Sequence, residues 1–184
     1  MTANSVLLLD ACCLLNIYAS DRLDTIAEAL SCSFMISEAV GREALYIRRG
    51  GSAEDANDRE AINLTALENR GVLSITALDE EELVTFLSFA SQMDDGEAAT
   101  CALAFHRSLP LATDDRKARR LLQGQAPHLH LYSTLEILKI WADHHQVDPT
   151  TLAQVLIAVR DRGNFLPPKA DLLREWWVTS IASR

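Results

Sequence analysis

The sequence lacks most of the features that mark secreted, membrane-spanning or nucleic-acid-coating proteins. Four cysteines occur among 184 residues, and no two of them form a Cys-x-x-Cys pair or a disulfide-like spacing, which favours free thiols in a reducing compartment. No uncharged run is long enough to cross a membrane, and Asp10 interrupts the only candidate for a secretory signal. We therefore expect a cytoplasmic protein with no membrane segment.

Positive charge is also scarce in the chain. The 17 Lys and Arg residues are outnumbered by 26 Asp and Glu residues, so the formal net charge is −9. Taken alone, this balance argues against general affinity for nucleic acid, because phosphates require cations. It suits a protein that concentrates carboxylates in one place, or one that meets a basic partner.

Apolar segments typical of buried strands alternate along the chain with helical patterns. The candidate strands cover residues 6–9, 32–36, 72–78, 109–113 and 128–132. Strands that alternate with helices indicate βαβ units and a parallel sheet covered by helices. We predict an α/β fold, a three-layer α/β/α sandwich with a central, mostly parallel five-stranded sheet.

The pattern becomes purely helical after the fifth candidate strand. Helices are predicted over residues 134–145 and 150–162 from their apolar stripes. We predict a single domain over residues 1–184, with a core at 5–133 and a C-terminal helical extension at 134–184.

Three earlier helices are predicted from apolar residues that would share one face. The first stripe consists of Val40, Ala44 and Ile47, the second of Leu83, Phe86, Leu87 and Ala90, and the third of Ala98, Cys101, Ala102 and Phe105.

Acidic residues follow the predicted strands in four separate segments. Asp10 comes directly after the first strand, inside the apolar run VLLLDACCLLN, and Glu38 follows the second strand. Glu97 belongs to DDGEAATCALA, which opens a helix, and Asp114 and Asp115 follow the fourth strand. Because the carboxyl ends of parallel strands meet at one edge of a sheet, we expect these acids to lie close together.

A structural explanation exists for each acid alone, since the first turn of a helix favours negative charge. Asp10 is harder to explain in this way, because a buried carboxylate is costly unless it is paired or coordinated. Carboxylates brought together also repel each other unless a cation neutralises them. Their oxygens are ligands that Mg²⁺ and Mn²⁺ prefer, and water made more acidic by such an ion can attack a phosphodiester.

Taken in order, these segments resemble the PIN-domain family, which includes the toxic ribonucleases of bacterial toxin–antitoxin pairs. The segments that carry the resemblance are LLLDACCLLN, ISEAV, DDGEAATCALA and LATDDRKARR, and it covers residues 5–133. It implies a Mg²⁺ or Mn²⁺ site and hydrolysis of RNA. The implied catalytic and metal-binding residues are Asp10, Glu38, Glu97 and either Asp114 or Asp115, with Thr113 as an orienting hydroxyl.

The sequence departs from the family pattern directly after the first acid. The family commonly has Ser or Thr there, whereas this chain has Ala11 and Cys12. The departure concerns the groups that surround the metal ligands and leaves the ligands themselves in place.

Basic residues lie beside the acidic segments despite the negative total. The segment RKARR follows the fourth acidic segment, and three arginines lie on or just beyond the helix that Glu38 begins: Arg42, Arg48 and Arg49. We expect Arg42, Arg116 and Lys117 to bind phosphates next to the scissile bond. The alternative, solvated faces with an ordinary Glu38–Arg42 ion pair, stays open.

The resulting functional prediction is a metal-dependent endoribonuclease. The resemblance adds RNA as the substrate, a small antitoxin protein as the restraining partner, and a homodimer. One alternative is a PIN-like module that has lost catalysis and binds RNA or protein. A second alternative, a phosphoacceptor signalling domain, normally has a Lys after its last strand, and HLHLYST offers none.

Overall fold

A computed structural model of the chain describes residues 5–43, 45–49 and 58–182. The strands are β1 Ser5–Leu9, β2 Cys32–Ser37, β3 Tyr46–Arg48, β4 Arg59–Ala61, β5 Leu73–Thr76, β6 Leu111–Ala112 and β7 Leu131–Tyr132. The helices are α1 Ala11–Ala19, α2 Leu23–Ala29, α3 Glu38–Arg42, α4 Leu64–Asn69, α5 Glu80–Ala90, α6 Asp95–Arg107, α7 Arg116–Gln125, α8 Thr134–His144, α9 Pro149–Arg162 and α10 Arg174–Ala182.

A five-stranded parallel sheet in the order β5-β2-β1-β6-β7 forms the centre of the fold. It contains the five strands predicted from the sequence, each at the predicted place and with similar or shorter bounds. The sheet and its helices fit the predicted three-layer α/β/α arrangement, so the fold class is confirmed. β6 is shortened to two residues, and Pro110 directly before it has no backbone N–H to give to a ladder.

The chain divides into two compact units. The first comprises residues 1–14, 31–44 and 63–133 and contains the parallel sheet, α3 to α7 and the start of α1. The second comprises residues 15–30, 45–62 and 134–184. Every acid predicted for the site belongs to the first unit.

Helix α6 is the buried core helix of the first unit. Its residues from Ala98 to Ala104 are all at most 1 % exposed, and it packs against α3, α5, α7 and the three central strands. Its small side chains allow backbones to approach closely, so the helix can lie directly on the sheet. This packing fixes the position of the acidic first turn of α6.

The second unit is built from helices and one hairpin. Helix α2 packs against α8, and α9 packs against α10 and β3. Trp141 is 3 % exposed and its Nε1 donates to the Thr25 hydroxyl at 2.9 Å. Among the described residues, no helix combines the length and the apolar character that a membrane crossing requires.

The stripe predicted around Val40 is wrong beyond the first helical turns. Helix α3 ends at Arg42, and Ile47 belongs instead to β3, which pairs antiparallel with β4. Tyr46 and Ile47 favour a strand because branched and aromatic side chains pack well on a pleated surface. Ala44 lies outside the described residues.

The stripe predicted for α5 lies on a helix, as expected, but only part of it is covered by the core. Leu83 and Leu87 are 44 % and 68 % exposed, whereas Glu82 and Phe89 are buried. The two carboxylate oxygens of Glu82 accept hydrogen bonds from Arg107 at 2.6 and 2.9 Å, and this contact lowers the pKa of Glu82. This ion pair allows the face of α5 that contains Glu82 to be buried, which a count of apolar residues does not predict.

Candidate active site

The topology brings the ends of β1 and β6 together. From β1 the chain builds the sheet outward through β2 and β5, then returns to place β6 on the other side of β1. Such a reversal opens a crevice beyond the carboxyl ends of the strands, where ligands bind in α/β folds. Asp10 follows β1 at this point, and its N–H donates to Ala112 O at the end of β6 at 3.1 Å. Asp10 and the acids after β6 therefore share one edge.

Asp10 is both a helix cap and a buried acid. It is 4 % exposed, and its Oδ1 accepts the N–H of Cys13 at 2.6 Å, which caps the first turn of α1. The Thr113 hydroxyl also donates to this carboxylate. Burial, with a smaller contribution from Asp114, nevertheless raises the pKa of Asp10 to about 6. Its charge is thus only partly compensated.

The two acids after β6 occupy different positions. Asp115 caps α7 through Oδ1, which accepts the N–H of Ala118 at 2.7 Å. Its negative charge raises the pKa of Glu97. Asp114 Oδ2 accepts the thiol of Cys13 at 3.7 Å, and its negative charge contributes to the raised pKa of Asp10. Both remain candidates for the site.

Glu97 and Asp94 come from the first turn of α6. Burial raises the pKa of Glu97, and the negative charges of Asp115 and Asp94 raise it further. The Asp94 N–H and the Lys117 ammonium act in the opposite direction. Glu97 therefore lies between acids from two segments that are distant in sequence.

Glu43, which the sequence analysis missed, faces these acids from the end of α3. Burial and the negative charge of Asp94 raise its pKa. Glu38, which is 46 % exposed, pairs with a cation rather than with these acids: its Oε2 accepts a hydrogen bond from Arg42 at 2.5 Å. Position 38 is the first residue of α3 and position 43 follows its end, so the two side chains leave α3 in different directions. The signal available in the sequence was only a second acid in SEAVGRE.

Gly96 allows Glu43 to approach α6. A Cβ at position 96 would lie 1.9 Å from Glu43 Oε1 and 3.4 Å from Val40 Cγ2. Because the first distance is far below any normal contact, the Glu43 carboxylate occupies space that only glycine leaves open at this position.

We call the six carboxylates that these interactions connect the acid cluster: Asp10, Glu43, Asp94, Glu97, Asp114 and Asp115. The pKa values of two nearby thiols are raised by burial and by the same negative charges. The pKa of Cys12 is raised to about 12 by burial and by Asp10, Asp114, Glu97 and Glu43. The pKa of Cys101 is likewise raised to about 12 by burial and by three of the cluster acids. Neither thiol is suited to act as a nucleophile at neutral pH, because the thiolate is the reactive form.

The donor chemistry of the acid cluster fits a hard divalent cation. All its side chains offer carboxylate oxygens, which suit Mg²⁺ and Mn²⁺. Burial, and to a smaller extent repulsion among the carboxylates, raises the pKa of Asp10, Glu43 and Glu97. In the part of the chain that the structure describes, no three His, Cys, Asp or Glu side chains are close enough to form a ready-made metal site. Bound cations would have to draw the carboxylates closer together.

An open cleft of about 740 Å³ adjoins the acid cluster. It is lined by Ala39, Arg42, Glu43, Ala90, Met93, Asp94, Asp95 and Gly96. Apolar groups share this lining with three carboxylates and one guanidinium. The cleft thus extends from Glu43 along the first turn of α6.

The predicted cationic residues have different surroundings. Arg116, Lys117 and Arg120 are exposed on α7, directly after Asp115. Arg119 is half-buried and contacts main-chain carbonyls. Arg42 is 78 % exposed beside Glu38. The prediction that Arg48 and Arg49 lie on or just beyond α3 is wrong, because they are in and after β3, within the second unit.

The comparisons with known proteins point to one family. A family model described as a PIN domain matches residues 6–172, which is most of the chain. No curated protein matches the chain.

Proposed function

Since the chain belongs to the PIN-domain family, whose fold is of the nuclease type, we propose that it is a metal-dependent endoribonuclease. The observation that carries this proposal is the convergence of acids from four separate parts of the chain beside the β1–β6 crevice. We propose Asp10, Glu97, Asp114 and Asp115 as residues that hold Mg²⁺ or Mn²⁺. Glu43 takes the place that the sequence analysis gave to Glu38.

The chemistry divides between the ion and the residues around it. When bound, the ion supplies Lewis acidity toward the phosphodiester and toward water. Asp10 is oriented for binding by the Cys13 N–H and the Thr113 hydroxyl. Lys117 favours the ionised form of Glu97, which is the form that binds a cation.

RNA binding is assigned to the exposed cations of α7. Arg116, Lys117 and Arg120 follow the acid cluster directly and are exposed to solvent. Phosphate contacts of this kind hold a strand in register without reading its bases. Arg42, which lines the same cleft as Asp94 and Asp95, is proposed as a further phosphate contact. Local positive charge thus offsets the net charge of −9.

Incubation of the purified protein with mixed RNA in Mn²⁺ or Mg²⁺ tests the proposal. We expect cleavage that stops in excess EDTA and that falls at least roughly tenfold in Glu97→Gln, since transition-state charge stabilisation by a metal is worth several kcal/mol. The control is Glu68→Gln, which changes an exposed glutamate of α4 and should cleave like the wild type.

Three results would contradict the nuclease proposal. Cleavage that persists unchanged in EDTA and in Glu97→Gln would come from another site or from a contaminant. Binding of RNA without any cleavage would favour a PIN-like binding module. Lasting phosphorylation of an aspartate by a small phosphodonor would favour the signalling alternative.

The resemblance to toxins extends the proposal to partner proteins. We propose a small antitoxin protein that restrains the nuclease in the cytoplasm. Growth arrest on induced expression in a bacterial host, absent with Asp10→Asn, would support the toxin role. Normal growth with active wild-type protein would contradict it.

A homodimer is proposed on an exposed apolar surface of α5. Leu83, Val84 and Leu87 are 44 %, 70 % and 68 % exposed, and exposed apolar patches often mark protein contacts. Sedimentation of the 20.3 kDa chain should therefore give twice that mass for the wild type. Leu87→Glu should sediment as a monomer, whereas Leu166→Glu, at an equally exposed leucine elsewhere, should remain dimeric. A monomeric wild type at high concentration would exclude the dimer.

A further inference from the structure

Arg119 differs from the other cations of α7 in what its side chain contacts. Its Nη1 donates to Thr113 O at 3.0 Å, and its Nη2 donates to Leu131 O at 3.4 Å. Thr113 directly follows β6, and Leu131 lies in β7, which pairs parallel with β6. One planar guanidinium therefore links two adjacent parallel strands at the edge where the acid cluster lies.

Thr113 connects this link to the acid cluster. It is 1 % exposed, and its N–H donates to Tyr132 O at 3.0 Å. Its hydroxyl accepts the N–H of Asp115 at 3.1 Å and donates to the carboxylate of Asp10. A hydroxyl offers one proton and two lone pairs, so it can make both contacts at once. The orientation of one threonine thus determines where acids from two strands meet.

We propose that Arg119 is a positioning residue of the active site, an inference that rests on the nuclease function proposed above. Its guanidinium holds the Thr113 carbonyl, and the fixed backbone directs the Thr113 hydroxyl toward Asp10 and the Asp115 N–H. Through this chain Arg119 keeps Asp10, Asp114 and Asp115 in one arrangement. It does not contact RNA.

The chemistry of the side chain supports this assignment over phosphate binding. Both ends of the guanidinium are occupied by main-chain carbonyls, whereas the adjacent Arg120 is exposed. A lysine ammonium is a compact point donor and does not reproduce the planar fork of arginine. Arg119→Lys therefore keeps the charge and removes the bridge, and Arg120→Gln removes an equal charge without touching the strands.

The experiment measures RNA cleavage and backbone protection in Arg119→Lys, Arg119→Gln and Arg120→Gln. In saturating Mn²⁺ both Arg119 variants should lose roughly 10- to 100-fold in kcat, the range typical of residues that orient metal ligands, with KM changed by less than about twofold. Arg120→Gln should keep kcat and raise KM. Without metal, the Asp115 amide should exchange its hydrogen faster in both Arg119 variants than in Arg120→Gln.

The outcomes separate the positioning role from the nuclease function itself. Equal kcat and equal Asp115 exchange in the Arg119 and Arg120 variants would overturn the positioning role while the nuclease stands. A raised KM with unchanged kcat in Arg119→Lys would show a phosphate contact instead, and would also overturn it. A wild type that cleaves no RNA would overturn the nuclease function. It would also overturn the loss of kcat inferred for the Arg119 variants. Arg119→Gln could lose activity because it fails to fold. Arg119→Lys keeps the positive charge, so it provides a second variant on which the positioning role can be tested.

Discussion

Asp10→Asn is expected to lose at least roughly 1,000-fold in RNA cleavage and yet to gain stability at pH 8, on the order of 2 kcal/mol. The loss follows because the amide cannot supply the negative charge that a divalent cation requires. The gain follows because the folded, metal-free protein buries a carboxylate whose pKa is raised to about 6. Asparagine keeps an oxygen that can cap α1 at the Cys13 N–H.

The pH dependence of this gain has a definite sign. Below pH 3.8, the ordinary pKa of the group, Asp10 is protonated in both the folded and the unfolded chain and costs nothing. Between pH 3.8 and about 6 the unfolded chain ionises Asp10 while the folded chain keeps it protonated, so the stability of the wild type falls as pH rises. Above about 6 Asp10 is ionised in both states, and the full cost of the buried charge is present. The difference between Asp10→Asn and wild type should therefore grow between pH 4 and pH 6 and then level off.

Chemical unfolding in EDTA across this pH range measures the effect. Glu68→Gln, an exposed change, should follow the wild type at every pH. If Asp10→Asn is less stable than the wild type at pH 8, the carboxylate stabilises the folded state through its cap and its burial is compensated. Addition of Mn²⁺ should stabilise the wild type and not Asp10→Asn.

Glu43→Gln should reduce RNA cleavage at least roughly 100-fold, whereas Glu38→Gln should change it by less than about threefold. Glu43 faces Asp94 and contributes to the raised pKa of Cys12 beside Asp10. Glu38 forms an exposed ion pair with Arg42, and such pairs contribute little. Both variants make the same chemical change, glutamate to glutamine, at positions five residues apart.

Steady-state cleavage at saturating Mn²⁺ compares the two variants, with thermal unfolding as the control for folding. Both should unfold near the wild-type temperature, because both glutamates have exposed surface. The reverse ranking, with Glu38→Gln inactive and Glu43→Gln active, would restore the assignment made from the sequence and exclude Glu43.

The acids at the carboxyl ends of the strands were predictable because topology alone brings them together. A buried apolar run followed by Asp10, and LAT followed by Asp114 and Asp115, place three acids at one sheet edge for any parallel sheet with β1 beside β6. Helix α6 was predictable for a similar reason, since its small residues identify a close-packed helix. In these cases the backbone decides the position.

Glu43 could not be predicted because its position depends on where a short helix ends. Helix boundaries are set by local competition between helix, turn and strand, and α3 stops at Arg42 so that the chain can enter β3. The buried face of α5 could not be predicted for a related reason, since the pairing of Glu82 with Arg107 joins residues 25 positions apart. Arg119 likewise appears as one cation among several in RKARR until the two carbonyls beside it are known.

The missing side chain at Gly96 has a consequence for how this protein tolerates genetic change. A single added methyl there would meet the movable end of Glu43 rather than rigid backbone, so the chain would still fold and accumulate normally. The carboxylate, however, would be pushed out of its place. An allele with alanine at this codon would thus be invisible to assays of expression or solubility, and would appear only as a loss of phenotype.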